Sequence, residues 1–308
     1  MRDSFAAEAS NLAEKDPRFI LLTGDIGNRL FNTYKEKYAE RFLNCGVAEA
    51  NMTGVAAGMA MAGLRPMTYT ITSFNTARCY EQIRVDLCYH NLPVTVVGVG
   101  GGLSYSELGY THHAVEDIGM MRLLPNMSIF CPGDAMEVKA AMRAALLHDG
   151  PVYIRLGKKG EYVAHADIPL YKVGGSLTVK DGKQVCLLAV GNMLSSALKT
   201  AELLETNGIS TRVVSFYSIK PFDENLLFDV FSSCEIVSVL EEHSQIGGVA
   251  TVVSEWLVQN LGHKARFLPF SLPDKINHKI ARQTLARKRV GLAPEDVSRG
   301  ILQVLRLL

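Results

Sequence analysis

The 308-residue sequence predicts two α/β domains, a doubly wound and mainly parallel sheet followed by a smaller mixed sheet. The length is sufficient for about two domains. Short apolar segments of strand length, such as residues 19–22 and 92–98, alternate with segments of helix length. A mixed polar stretch with several glycines then separates two such series. We therefore divide the chain into a domain at 1–160, a linker at 161–182 and a domain at 183–308.

Composition argues against several classes of function. Hydrophobic residues make up 48% of the chain, charged residues 20%, and the net charge is +1, which indicates neither disorder nor binding to nucleic acid or membranes. Residues 1–9 lack the apolar core of a signal peptide, and no stretch is long and apolar enough to span a bilayer. The six cysteines are scattered without metal-ligand spacing, which is typical of reduced thiols in a cytoplasmic protein.

The first elements are an amphipathic helix over residues 2–15 and a buried strand over residues 19–22. The strand runs into the loop at 23–27, and open α/β sheets bind ligands at the carboxyl ends of their strands. Asp25 in this loop is a candidate site residue on that ground, and a role in the turn explains it equally well.

One carboxylate, Glu49, begins a predicted helix that otherwise contains mostly small and apolar residues, from 47 to 62. A helix with so few polar residues is expected to lie between other elements. Burial of a carboxyl group costs free energy and raises its pKa, which allows proton exchange near neutral pH. The favourable position of an acidic residue in the first helical turn also explains a glutamate here.

Two further segments carry candidate side chains. Residues 73–84 contain Phe74, which composition alone would assign to the core. Residues 99–117 combine a glycine cluster with His112, and the cluster lacks the register of a dinucleotide-binding motif. Imidazole donates hydrogen bonds and transfers protons at neutral pH, although paired histidines before a helix are often surface residues.

Residues 44–52, Asn-Cys-Gly-Val-Ala-Glu-Ala-Asn-Met, with Gly54 and Gly58 behind them, closely resemble the pyrimidine-domain signature of transketolase-like thiamine diphosphate enzymes. Residues 73–84 resemble the aromatic segment of that family, and residues 99–117 resemble its loop over the thiazolium. The whole chain resembles the separately encoded C-terminal half of a split transketolase. The expected fold is therefore a pyrimidine-binding domain followed by a transketolase C-terminal domain.

The resemblance implies that three residues bind the cofactor. Glu49 would hydrogen-bond N1′ of the aminopyrimidine, which favours the imino tautomer that removes the C2 proton of the thiazolium. Phe74 would stack on the aminopyrimidine, and Asp25 would lie near the thiazolium.

The resemblance also implies a substrate site. His112 would be catalytic and contact the substrate, while Lys158, usually arginine in relatives, and Arg2 would bind the substrate phosphate. Lysine keeps the charge but not the bidentate geometry. Leu108 replaces an aspartate that contacts a donor hydroxyl, and Gly100 replaces a histidine that contacts substrate. Both changes remove polar contacts, so we expect an unusual sugar.

No segment resembles the diphosphate-binding domain with its magnesium motif. The resemblance therefore implies a diphosphate-binding partner subunit that holds most ligands of Mg²⁺, in a heterotetramer with two copies of each chain. We expect no metal ligands in this chain. The implied activity is transfer of a two-carbon ketol unit between sugar phosphates. Alternatives are a ketol transferase for a branched sugar such as apulose 4-phosphate, a deoxyxylulose-phosphate-synthase-like enzyme, or a non-catalytic scaffold subunit.

The second predicted domain contains one run that resembles catalytic machinery, Glu241-Glu242-His243. We assign His243 a packing or interface role, because the corresponding domain of the family is mainly structural. The basic stretch at residues 282–289 is predicted to be a solvated helix face.

Overall fold

The computed structural model describes residues 1–27, 29–158, 163–276 and 278–306, which form two α/β units. In chain order the first unit contains α1 (Arg2–Lys15), β1 (Phe19–Thr23), α2 (Asn32–Lys37), β2 (Phe42–Asn44), α3 (Glu49–Met61), β3 (Arg65–Ile71), α4 (Thr72–Thr76), α5 (Tyr80–Gln82), β4 (Thr95–Val99), α6 (Asp117–Arg122), β5 (Ser128–Phe130), α7 (Ala135–Leu147) and β6 (Val152–Leu156). A π-helical segment, Ile83–Tyr89, continues α5, and short 3₁₀ turns lie at Ala39–Arg41, Ser106–Leu108 and Tyr110–His112.

The second unit contains β7 (Leu177–Lys180), β8 (Val185–Ala189), α8 (Leu194–Glu205), β9 (Thr211–Ser215), β10 (Ser218–Lys220), α9 (Glu224–Ser233), β11 (Ile236–Ser244), α10 (Val249–Gln259), β12 (Arg266–Phe267), β13 (Phe270–Leu272), α11 (Gln283–Arg289) and α12 (Pro294–Leu305). Within the described ranges, no helix is both long enough and apolar enough to cross a membrane.

The first sheet has the order β10-β5-β6-β4-β3-β1-β2 among the residues that the structure describes. All pairings are parallel except that of β10 with β5. Alternate residues of β1 face opposite sides: Ile20 belongs to the same buried cluster as Met52 of α3, and Leu21 to the cluster of Phe5 of α1. Because helices cover both faces, the predicted doubly wound sheet is confirmed.

The second sheet has the order β12-β11-β8-β9-β7, with β13 also paired to β11. Its pairings are parallel except for the antiparallel pairing of β7 with β9, so the predicted mixed sheet is confirmed. Two short strands depart from the predicted division of the chain. β7 lies inside the segment 161–182 that was predicted to be a linker, and β10 of the second unit joins the edge of the first sheet.

Candidate active site

The predicted site residues follow the carboxyl ends of neighbouring parallel strands. Asp25 follows β1, Glu49 lies beyond β2, Phe74 follows β3, His112 lies in the loop after β4, and Lys158 follows β6. The parallel register brings these strand ends to one edge of the sheet, where open α/β sheets bind ligands. Arg2 begins α1 at the amino terminus of the chain.

Glu49 begins α3 and is buried, with 1% of its surface exposed. Its Oε2 atom accepts a hydrogen bond from Nη1 of Arg78 at 2.8 Å. Its Oε1 atom is buried and has no hydrogen-bond partner among the described residues. Gly24 lies next to this side chain, because a Cβ atom at residue 24 would be in van der Waals contact with Cγ of Glu49, at 3.5 Å. A buried polar atom without a partner is costly, so Oε1 is suited to bind a ligand.

The half-buried Phe74 ring lies between two potential partners. The Arg78 guanidinium carbon is 4.4 Å from the Phe74 ring centroid, within the range of a cation–π interaction. On another side the His112 ring meets it edge-on, with 5.3 Å between centroids. Arg78 therefore links Glu49 to Phe74. Sequence reasoning missed this role, although the spacing of Phe74 and Arg78 by one helical turn was a signal for their contact.

His112 ends the 3₁₀ turn Tyr110–His112, and its Nδ1 atom lies 2.9 Å from Oγ1 of Thr111. Burial lowers the pKa of His112, and the neighbouring His113 lowers it further. The imidazole is therefore neutral at pH 7 and can both donate and accept hydrogen bonds. His113 is buried, and its Nε2 atom has no hydrogen-bond partner among the described residues.

The two predicted phosphate ligands both interact with Tyr105. Lys158 forms an ion pair with Glu107, and its Nζ atom lies 5.0 Å from the Tyr105 ring centroid. Arg2 is partly buried and interacts electrostatically with the phenols of Tyr69 and Tyr105, and its Nε atom has no hydrogen-bond partner among the described residues. Lys158 thus lies over the Tyr105 ring, and Arg2 interacts electrostatically with the same side chain.

Asp25 has a structural partner. Its backbone has a φ of 55°, and its Oδ1 atom accepts a hydrogen bond from Nδ2 of Asn44 at 3.1 Å. In return its backbone N–H donates to Oδ1 of Asn44 at 3.2 Å. These contacts explain Asp25 as a turn residue that ties the ends of β1 and β2 together, and its position beside the thiazolium stays a prediction.

The two departures from the family pattern have different surroundings. Leu108 is 51% exposed at the end of the turn Ser106–Leu108. Gly100 has a φ of +89°, and a Cβ atom there would lie 2.1 Å from two ring carbons of Tyr105. Only glycine fits at position 100 while Tyr105 keeps this place.

The second unit anchors the loop that precedes His112. Glu242 of β11 is fully buried, and its Oε2 atom accepts hydrogen bonds from the backbone N–H of Leu103 at 3.1 Å and from Nδ2 of Asn192 at 3.0 Å. Arg287 of α11 forms an ion pair with the same carboxylate. Burial by itself would raise the pKa of Glu242, but the Arg287 charge and these hydrogen bonds hold that pKa below its ordinary value. Glu242 therefore stays ionised and positions the loop.

The other members of the Glu241-Glu242-His243 run are also held in hydrogen bonds. Glu241 accepts from the backbone N–H groups of Val249 and Ala250 at the start of α10, at 2.7 and 3.1 Å. His243 accepts at Nε2 from the backbone N–H of Gly119 in the first unit, at 3.1 Å. The run thus connects the two units.

One group of described residues has the spacing of a metal site: Asp134, Glu137 and His165. Asp134 accepts from the backbone N–H groups of Ala164 and His165 at 2.7 and 3.0 Å, and it caps α7. Nδ1 of His165 lies 3.0 Å from Asp134 and 3.5 Å from Oε1 of Glu137. Because N–H donors already saturate the Asp134 carboxylate, we interpret this group as a hydrogen-bonded junction between α7 and the segment before β7.

The residues at the sheet edge fit the aminopyrimidine end of thiamine diphosphate. Oε1 of Glu49 is a buried polar atom without a partner among the described residues, and such an atom can exchange a proton with a ring nitrogen. Phe74 offers a ring for stacking, and the neutral His112 lies against it. Glu49, Phe74 and His112 are three of the four residues that the family resemblance assigns to cofactor binding or catalysis, and Asp25 is the fourth.

Two domain models of the transketolase family match the chain. "Transketolase, pyrimidine binding domain" matches residues 1–161, and "Transketolase, C-terminal domain" matches residues 174–297. The 6-deoxy-6-sulfo-D-fructose transketolase subunit SqwH of Clostridium sp. (strain MSTE9) is 33% identical over 97% of this chain and 94% of that protein. A subunit of the apulose-4-phosphate transketolase of Actinobacillus succinogenes is 35% identical over 73% of this chain and 72% of that protein.

A solved structure shares the fold over nearly the full length. It is a split-gene transketolase described as an inactive beta4 tetramer, with a TM-score of 0.88 and 32% identity. The match covers 99% of this chain and 98% of that one. The chain therefore belongs to the transketolase family, as a pyrimidine-binding domain followed by a C-terminal domain, and it is similar along its length to the subunits of split transketolases.

Proposed function

We propose that this chain is the pyrimidine-binding subunit of a two-subunit, thiamine diphosphate-dependent transketolase that moves a two-carbon ketol unit between sugar phosphates. The observation that carries the proposal is the buried Oε1 atom of Glu49, which has no partner among the described residues, on a carboxylate that Arg78 links to the Phe74 ring. Similarity to transketolase subunits supports the reaction type. The six cysteines, all free thiols, support a cytoplasmic location.

Each site residue has a separate task in this proposal. Thiamine diphosphate supplies, when bound, the nucleophilic carbon of the reaction. Glu49 holds or releases a proton at Oε1 toward N1′ of the aminopyrimidine. Phe74 packs against that ring, with Asp25 near the thiazolium. His112, neutral at pH 7, donates to a substrate oxygen where negative charge develops.

The anionic end of the substrate is bound by Arg2 and Lys158. Lys158 lies beside Tyr105 and Arg2 interacts electrostatically with it, which supports binding of one phosphate or another compact anion by both cations. Binding at Lys158 requires the anion to compete with Glu107, its present ion-pair partner. This competition favours a doubly charged phosphate over a neutral sugar.

We also propose, more narrowly, that the substrate is an uncommon sugar. Two of the relatives are named for 6-deoxy-6-sulfo-D-fructose and apulose 4-phosphate. In this chain Leu108 is apolar and half-exposed, and Gly100 offers no polar side chain. We therefore expect a ketose whose carbon skeleton or hydroxyl pattern differs from that of common pentose phosphates.

A diphosphate-binding subunit is required for activity. The site residues of this chain contact the ring end of the cofactor. We propose that the partner subunit binds the diphosphate and supplies most ligands of Mg²⁺. Exposed apolar side chains beside the site support an interface there, since such side chains are costly to leave in water: Leu43, Val47, Leu108 and Tyr110. We propose a heterotetramer with two copies of each chain.

The test is reconstitution of the chain with a diphosphate-binding subunit and a panel of ketose and aldose phosphates. We expect turnover only when both subunits, Mg²⁺ and thiamine diphosphate are present. Calorimetric titration of the chain alone should show no tight binding of the cofactor. Tight one-to-one binding by the chain alone would contradict the two-subunit proposal. A reconstituted complex that binds the cofactor but transforms no sugar would favour a non-catalytic scaffold.

A further inference from the structure

We infer that Tyr105 contacts the substrate and determines sugar specificity; this inference rests on the proposed function. Tyr105 is 8% exposed and lies between the two ends of the site. Its ring meets His112 edge-on, with 6.3 Å between centroids. The Lys158 ammonium lies 5.0 Å from the centroid of the same ring, and the Arg2 guanidinium interacts electrostatically with its phenol. Because the ring contacts both His112 and Lys158, we expect a ketose that reaches from one to the other to contact it.

The position of Tyr105 is fixed by Gly100. A Cβ atom at residue 100 would come within 2.1 Å of the Tyr105 ring, and the φ of +89° at Gly100 strains any other residue. The ring therefore occupies the space into which a side chain at position 100 would extend. A histidine at position 100 would clash with the Tyr105 ring where it now lies. Residues 100 and 105 therefore determine specificity together.

The chemistry of Tyr105 indicates which substrate feature it selects. Its ring presents an apolar face beside Lys158, and its phenol belongs to the electrostatic environment of Arg2 and Tyr69. A hydroxyl group directed at an apolar ring loses hydrogen bonds to water without replacement. Tyr105 therefore favours ketoses with a carbon, rather than a free hydroxyl, against the ring and with an anion at Arg2 and Lys158.

The experiment compares Tyr105→Leu and Tyr105→Phe in the complex with its diphosphate-binding subunit. Tyr105→Leu should lower kcat/KM for the preferred ketose phosphate at least about tenfold, mainly through KM. It should also narrow the ratio of kcat/KM between preferred and disfavoured ketose phosphates. Tyr105→Phe keeps the ring, so it should preserve that ratio and should raise KM less than Tyr105→Leu does. Tyr89→Leu, at a tyrosine that is 79% exposed, is the matched control and should change neither value.

A binding measurement separates this inference from the proposed function. Calorimetry with ribose 5-phosphate on the same complexes needs no turnover, and Tyr105→Leu should weaken binding by about fivefold or more relative to Tyr89→Leu. If wild-type turnover is present and neither the ratio nor the affinity changes in Tyr105→Leu, the inference about Tyr105 is wrong and the proposed function stands. If wild-type turnover is absent on every sugar, the proposed function fails. If, in addition, Tyr105→Leu binds ribose 5-phosphate as tightly as Tyr89→Leu does, the inference about Tyr105 is wrong as well.

Discussion

Nη1 of Arg78 donates a hydrogen bond to Oε2 of Glu49 over 2.8 Å, and the same guanidinium lies over the Phe74 ring. Arg78 is 45% exposed, whereas Glu49 is buried. A half-exposed cation thus compensates a buried carboxylate while the second carboxylate oxygen has no partner among the described residues. The site therefore combines one carboxylate oxygen that Arg78 holds in place with one that is available to a ligand.

Removal of Arg78 should destabilise the fold through Glu49. We expect Arg78→Leu to lower the free energy of unfolding by about 1–3 kcal/mol, less than for a fully buried pair because Arg78 is half-exposed. Adding Glu49→Gln should recover part of this loss in a double-mutant cycle. Chemical denaturation measures both values. Arg84→Leu, which breaks an exposed pair with Glu81, is the control and should change the free energy of unfolding far less than Arg78→Leu does. Equal costs for the two arginines would contradict the anchor role.

Leu108→Asp should shift sugar preference toward common ketose phosphates. A new carboxylate at this half-exposed position can accept a hydrogen bond from a substrate hydroxyl, worth about 1–3 kcal/mol or roughly fivefold to 150-fold in selectivity. The measurement is the ratio of kcat/KM for xylulose 5-phosphate and the preferred sugar. Leu123→Asp, at an exposed leucine after α6, provides the control. An unchanged ratio would remove Leu108 from the specificity determinants.

Arg287→Met should loosen the loop before His112. Without Arg287 the buried Glu242 carboxylate loses its cation, which typically costs about 3–5 kcal/mol in a buried pair. Because Glu242 also holds the backbone of Leu103, we expect faster proteolytic cleavage within residues 100–112. Limited proteolysis with mass spectrometry detects the cut sites. Arg299→Met, at an exposed ion pair with Asp296, should leave the cleavage pattern unchanged. If Arg287→Met is cleaved outside residues 100–112 before it is cleaved within them, the proposal that Glu242 anchors this loop is wrong.

His165 should make stability depend on pH. Its hydrogen bond with Asp134 raises the pKa of His165 above its ordinary value of 6.5, although burial opposes the shift. Protonated His165 therefore stabilises the fold fully below pH 6.5, and this contribution is lost as pH rises through the higher folded pKa. Denaturation at a series of pH values should show a smaller decline for His165→Gln than for the wild type. His90→Gln, at an exposed histidine, should retain the wild-type slope.

The sequence predicted the elements that depend on local pattern. The predicted strand at 19–22 corresponds to β1, and the predicted small-residue helix at 47–62 contains α3, because strand and helix periodicity depend on near neighbours. The short strands β7 and β10 were missed, since each is defined by a partner strand far away in the chain. Arg78 and Tyr105 were missed for the same reason: their roles depend on contacts that only the tertiary fold creates.

Exchange of the C2 proton of bound thiamine diphosphate tests the role of Glu49 most directly. The assembled complex would be loaded with cofactor and Mg²⁺ and transferred to D₂O, and exchange would be followed by quenching and NMR. Glu49→Gln keeps the shape of the side chain but cannot exchange the proton at Oε1, so exchange should slow by about a hundredfold to ten-thousandfold. Cofactor binding should persist in the variant. Exchange at the wild-type rate in Glu49→Gln would contradict the central claim that this carboxylate activates the cofactor.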